Sequence, residues 1–187
     1  MTTKRADARR NEENLLAAAA AVFVTSGVEA PIRAIAAEAG VGTATIYRHF
    51  PTRADLIVAV YRHQVESLVE AEPALLAEGP SPYAALERWA DLFVDFVVTK
   101  QGLAVVLQSD DPCFDPLHSY FLDRLVPVCG RLLDAAAASG EVRSGQDAHE
   151  LMLGIGSLCA GSGKSSRYDA RRMVATLVAG LRPTPSG

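Results

Sequence analysis

The sequence predicts an all-α protein. Apolar residues recur at spacings of three and four in every long segment, as in Leu86, Trp89, Ala90, Phe93, Phe96 and Val97. No segment alternates with period two well enough to be a strand. Glycine and proline fall between the periodic segments, at Gly27, Pro31, Gly40, Gly42 and Pro51, where helices start and stop. With 187 residues, 49% of them hydrophobic, the chain can bury a sizeable core in one or two small domains.

Met1 to Ala8 is short and polar and is expected to be a disordered tail. Its Lys4 and Arg5 can reach phosphates or a minor groove, as N-terminal arms of some DNA-binding domains do, or stay solvated. The first helix starts near Asp7 or Asn11 and ends at Thr25-Ser26, with Leu15, Leu16, Ala19, Val22 and Phe23 as its buried stripe. Arg9 and Arg10 sit in its first turn, the unfavourable end of the helix dipole. A nearby phosphate would account for them, and so would pairing with Glu12 and Glu13.

Pro31 to Phe50 organises the rest. Ile32, Ile35, Ala36 and Ala39 lie on one helical face, and Gly40 supplies the left-handed conformation that ends a helix. Val41 and Gly42 make a corner, and a second helix runs from Thr43 to about His49, with Ile46 and Phe50 as core. Two helices across a short glycine turn form a helix-turn-helix, whose second helix enters a DNA major groove. Thr43, Ala44 and Arg48 project from one side of that helix. The Ala44 methyl can touch a thymine methyl, and Arg48 can bond a guanine or hold a phosphate.

Thr52 and Asp55 approximate a capping box for a fourth helix, expected to reach about Ala71 before Pro73 ends or kinks it. Helices follow over Pro82–Lys100, Gly102–Gln108, Leu117–Ser139 (kinked or split at Pro127), Gln146–Ala160 and Tyr168–Leu181. The body therefore has five or six helices.

Leu15-Leu16, Phe23, Ile35-Ala36, Ala39-Gly40-Val41, Thr45-Ile46-Tyr47, His49-Phe50 and Arg53 occur in an order and spacing that resembles the TetR family of transcriptional regulators. The resemblance covers roughly the first third of the chain. It implies a three-helix helix-turn-helix DNA-binding domain over residues 1–68, with the motif at 31–50. A helical ligand-binding and dimerisation domain would follow over 69–187. It implies that Thr45, Tyr47 and His49 contact the DNA backbone, against the alternative that Tyr47 and His49 pack on the first helix. The family often has Ser or Thr near Pro31, capping the helix and touching a phosphate. Pro31 cannot do this, and Arg33 is the expected replacement. The family also frequently has Ser at the position of Gly42, which implies that the capping hydroxyl is displaced to Thr43.

The small residues Gly154, Gly156, Ser157, Ala160, Ala175 and Ala179 suit the two-fold, four-helix interface that the family builds, or close packing within the chain. Trp89, Phe93, Phe96, His118, Phe121, Met152 and Cys159 can line an apolar ligand cavity or simply form core.

Charge agrees with a divided chain. Residues 1–53 carry seven Lys/Arg against five Asp/Glu, and the remainder eleven against seventeen, for a formal net charge of −4 overall. Cys113, Cys129 and Cys159 are too sparse for a disulfide framework or a zinc site and read as buried thiols, with a thiol sensor as the minority alternative. Gly163-Lys164-Ser165 ends like a phosphate-binding loop, but Leu158 stands where the first glycine belongs. His63, His118 and His149 are scattered, and Asp110, Asp111 and Asp115 lie in a Pro-containing loop. No catalytic set, metal, cofactor or membrane span is expected, and the location expected is cytoplasmic.

The leading expectation is a homodimeric regulator, a repressor released by a small, largely apolar effector, on a pseudo-palindromic double-stranded DNA operator. The rival is an all-helical binding or adaptor protein whose helix-turn-helix serves packing alone.

Overall fold

The computed structural model describes the backbone of residues 2–106, 114–160 and 168–184, and side chains at 10–97, 117–160 and 168–184. Eight helices and no strand occur among the described residues. They are α1 (Thr2–Ser26), α2 (Ile32–Ala39), α3 (Thr43–His49), α4 (Arg53–Glu78), α5 (Pro82–Val106), α6 (Phe114–Ala138), α7 (Ala148–Cys159) and α8 (Ala170–Ala179). The chain divides into two compact units, Met1–Gln64 with Val98–Phe114, and Val65–Val97 with Asp115–Gly187.

In the first unit α1 packs on α2 and α2 on α3. Their shared core is Leu15, Leu16, Ala19, Phe23, Ile35, Ala36, Ile46 and Phe50, closed by Leu56, Ile57, Val60 and Tyr61 of α4. Val22, expected inside, is only half-buried. The expected tail is instead helical, since α1 begins at Thr2. Nothing between Thr2 and Asp7 breaks a helix, and elongating an existing helix costs far less than nucleating one.

In the second unit two proline expectations are corrected, since α4 does not end at Pro73 and α6 is not split at Pro127. Pro73 lies inside α4, which runs on to Glu78, and Pro127 lies inside an unbroken α6. Both prolines are exposed, so water can serve the carbonyl that loses its partner. Pro82–Lys100 and Gly102–Gln108 are not separate helices. One helix, α5, continues through Gly102, because a single glycine costs roughly 1 kcal/mol. The body after α4 thus has four helices among the described residues, fewer than the five or six expected.

Trp89, Phe93, Phe96 and Phe121 form the centre of this unit, each at most 6% exposed. Their rings stack in succession, with centroids 5.3 Å apart for Trp89–Phe93, 5.8 Å for Phe93–Phe96 and 5.3 Å for Phe96–Phe121. The Trp89 indole N–H donates to the Leu68 carbonyl at 3.0 Å, so the one polar atom of this cluster's largest side chain has a partner.

Two forked ion pairs join α4 to α6. Arg131 grips the buried Glu72 at 2.7 and 2.5 Å. Arg124 grips Glu66, which also accepts from the Tyr120 hydroxyl. Arg171 of α8 forks onto Asp91 and Asp95 of α5. Asp147 and Asp169 cap α7 and α8 by accepting from the amides of Glu150 and Arg172. Glu141, in the α6–α7 loop, accepts from the Tyr83 amide and so caps α5 from a distant part of the chain. Arg182 lies over the Tyr83 ring, 4.6 Å from its centroid. Burial, with help from Glu87, pushes the Tyr83 phenol up to about 12.

Cys129 and Cys159 are buried free thiols, with Cys129 pushed up to about 12 chiefly by burial. Cys113, Asp110, Asp111, Asp115 and the Gly163-Lys164-Ser165 stretch lie outside the residues whose side chains are described. Among the described residues no three His, Cys, Asp or Glu gather as a metal set, and no helix is long and apolar enough to cross a membrane.

The carboxylates give a pH dependence of defined sign. Arg124 holds the Glu66 carboxyl below its ordinary value, and Ser81 does the same for Glu141. The Thr52 hydroxyl does so for Asp55. A depressed folded pKa adds stability above the ordinary carboxylate range, and that stability is lost as pH falls through it. Urea unfolding should therefore show stability falling from about pH 5 downward. Glu66→Gln should be less stable at neutral pH and show a shallower acid limb. An acid limb unchanged by Glu66→Gln would contradict this assignment.

Candidate nucleic-acid interface

The corner between α2 and α3 is built by Gly40, at φ +65° and ψ +29°. The Val41 amide donates to the Ala36 carbonyl at 3.0 Å and the Gly40 amide to Ala37 at 3.3 Å. This is the paired Schellman arrangement that ends a helix with a left-handed residue. It places Ile46 and Phe50 against Ile35 and Ala36 in the shared core.

With that face buried, the opposite face of α3 meets solvent. Thr43, Ala44, Tyr47, Arg48 and His49 are exposed, Tyr47 by 52%, and Thr45 is half-buried. Thr43, Ala44, Tyr47 and Arg48 stand at i, i+1, i+4 and i+5, which is one face of a helix. His49 lies tilted on Phe50, its ring centroid 6.1 Å away. Neither Tyr47 nor His49 is buried. Arg33 on α2 and Arg10 on α1 are exposed. Lys4, Arg5 and Arg9 lie where α1 is helical, but their side chains are outside those described.

One expectation at this corner is corrected. The N-cap of α3 is Gly42, not Thr43, which is already the first helical residue. Gly42 adopts extended backbone (φ −76°, ψ 147°) and its carbonyl accepts from the Thr45 amide at 2.9 Å. The first turn therefore carries no side-chain cap, and its outer N–H groups can turn to an acceptor outside the protein. At the start of α4 the capping box is complete. The Thr52 amide and hydroxyl donate to the Asp55 carboxylate at 2.9 and 2.7 Å, and the Asp55 amide donates back to the Thr52 hydroxyl at 3.1 Å.

The comparisons with known proteins agree with this geometry. Residues 15–60 match the model of bacterial regulatory proteins of the tetR family. Residues 81–183, more than half of the chain, match the C-terminal domain of SbtR-like transcriptional regulators. The chain belongs to the TetR family. The relatives it matches are named as transcriptional regulators. A TetR transcriptional regulator from Streptomyces coelicolor is 37% identical, covering 92% of this chain and 99% of the other, with a TM-score of 0.76. A TetR regulatory protein from Mycobacterium vanbaalenii is 31% identical over 96% and 99% of the two chains, with a TM-score of 0.69. The transcriptional activator FasR of Mycolicibacterium smegmatis is 32% identical over 106 residues, 56% of this chain and 48% of FasR. The chain spans about half the length of the curated relatives it matches.

In this TetR-family chain the proposed ligand and interface residues are placed as follows. Trp89, Phe93, Phe96, Phe121, Met152 and Cys159 are buried, and His118 is exposed with its ring 5.7 Å from that of Phe121. A small cleft of about 60 Å³ lies elsewhere, between Ala90, Asp91 and Val94 of α5 and Arg171, Val174 and Val178 of α8. Gly154 is used within the chain, because a Cβ there would meet Leu177 of α8 at 3.3 Å. Gly156 has open space on that side, and Ser157, Ala160, Ala175 and Ala179 are exposed. Leu153, 62% exposed and four residues before Ser157, widens the apolar face on α7. The small-residue pattern pointed to the face, but counting only small residues passed over Leu153.

Burial separates the side chains that hold α3 from those that face outward. Ile46→Ala should cost roughly 2–5 kcal/mol of stability. Tyr47→Ala and Arg48→Ala should each change it by less than about 0.5 kcal/mol. Chemical denaturation of the three variants checks this. A large loss from Arg48→Ala would make that side chain part of the fold.

Proposed function

We propose that the protein is a homodimeric repressor in the cytoplasm that reads a pseudo-palindromic operator with α3. The observation that carries the reading is the face of Thr43, Ala44, Tyr47 and Arg48, exposed above a buried Ile46 and Phe50. Thr43, Ala44 and Arg48 meet base edges, and Thr45, Tyr47, His49 and Arg33 meet the DNA backbone. Lys4, Arg5, Arg9 and Arg10 add weaker phosphate contacts.

Dimerisation uses the α7–α8 face of Gly156, Ser157, Ala160, Ala175 and Ala179, next to Gly154. Its support is the exposed Leu153, an apolar side chain that a second copy would cover. The two α3 helices then lie about 34–36 Å apart, or a multiple of that distance. A small, largely apolar effector binds the helical body near Trp89, Phe93, Phe96, Phe121, Met152 and Cys159, with His118 at its edge. It releases DNA by binding the DNA-free state better, with a coupling of about 1–3 kcal/mol. The described aromatic residues stack on one another, so this cavity would open by their rearrangement.

Selection of bound fragments from the source genome tests the reading. The wild type should enrich a palindromic site, and Tyr47→Ala/Arg48→Ala should not. On that site Arg48→Ala should lose about 1–3 kcal/mol and relax preference at one base. Affinity should fall steeply with salt through counterion release. A folded dimer that enriches no site, even after refolding without bound ligand, would favour an adaptor role. A reporter carrying the site separates repression from activation, the role named for FasR.

A further inference from the structure

Arg53 occupies a place where a cation gains nothing from its own helix. It is the first residue of α4, the positive end of the helix dipole. Its guanidinium turns back into the protein. Nη2 donates to the Val28 carbonyl and, at 2.8 Å, to the Ala30 carbonyl, while Nε is enclosed without a partner. Val28 and Ala30 belong to the turn between α1 and α2, with side chains only 5% and 4% exposed. Carbonyls outside a helix and near a core need donors from elsewhere.

That turn has an unusual need for support. Pro31 is the N-cap of α2 and makes no side-chain capping bond. Inside the turn the Ala30 amide donates to the Gly27 carbonyl at 3.1 Å, with Gly27 at φ +78°. No hydroxyl fixes how the chain enters α2, so the anchor is supplied by α4, twenty-three residues on from Ala30.

We propose that Arg53 is a positioning residue of the DNA-reading face: its guanidinium fixes the α1–α2 turn, and with it the start of α2 and the exposed Arg33, and it does not bind a DNA phosphate. The proposal rests on the DNA-reading role of α3. It divides the basic residues of the first unit by job. Arg33 and Arg48 are exposed and can meet DNA, whereas Arg53 is half-buried and bound to carbonyls of its own chain.

The test compares wild type, Arg53→Lys and Arg53→Gln. The probe is the fragment recovered by genomic selection, titrated at several salt concentrations, with amide exchange of Ala30 followed in the free protein. Both bonds come from Nη2, one covalent bond beyond the place that a lysine Nζ would take, so lysine does not restore them. Both variants should lose roughly tenfold in affinity, keep the wild-type slope of log K against log salt, and exchange the Ala30 amide faster. A phosphate ligand behaves in the opposite way. Arg53→Lys would retain affinity, and Arg53→Gln would lower the slope by about 0.9 for each phosphate no longer neutralised. That result, or unchanged Ala30 exchange in both variants, overturns the proposal. If the wild type itself binds no DNA, the regulator reading fails and the DNA role of Arg53 fails with it. Ala30 exchange would then still decide whether the brace exists.

Discussion

The left-handed turn at Gly40 is the constraint on which the DNA-reading part of the molecule depends. A side chain with a β-carbon is strained at φ +65°, so glycine lets α2 stop there and the chain reverse at once. The two Schellman bonds from Gly40 and Val41 satisfy the last carbonyls of α2 within the corner. Because the corner is closed, α3 has one way to bury Ile46 and Phe50. Its remaining face is then committed to solvent. The short α3 has little stability of its own, since a helix of seven residues is far below the length that persists in water. Its orientation comes from the core beneath it.

The second unit solves a different problem. Its core is a run of stacked rings with one satisfied indole N–H, and apolar stacking of this kind is tolerant of substitution. Polar interactions sit around the rim, as forked Arg–carboxylate pairs between α4 and α6 and between α5 and α8. Exposed pairs such as Arg88–Asp91 add little stability. The pair from Arg131 to the buried Glu72 matters more, because a carboxylate left there without its partner would be costly. Helical spacing of apolar residues was legible in this part of the chain, but it does not say which ligand, if any, such a core would admit.

Much of the first unit was legible because its signals are local. Spacing gave the α2 and α3 faces, Gly40 gave the corner, and Thr52 with Asp55 gave the cap of α4. The rule that a proline ends or splits a helix misled at Pro73 and Pro127. That rule prices a lost hydrogen bond without knowing which face of the helix meets water. The capping hydroxyl assigned to Thr43 failed for a related reason, because one residue of register decides which position is the N-cap.

The sequence by itself determined the helical class, the corner and the identity of the residues offered on α3, since each follows from spacing or from a residue's own backbone preference. Tertiary structure alone decided the jobs of Arg53, Glu141 and Leu153. Arg53 is bound to carbonyls twenty-three and twenty-five residues earlier, and Glu141 caps a helix by accepting from an amide fifty-eight residues before it. Leu153 has the composition of a core residue yet stands 62% exposed. No local pattern encodes such facts, because they depend on which distant backbone groups lack partners and which faces the fold leaves uncovered.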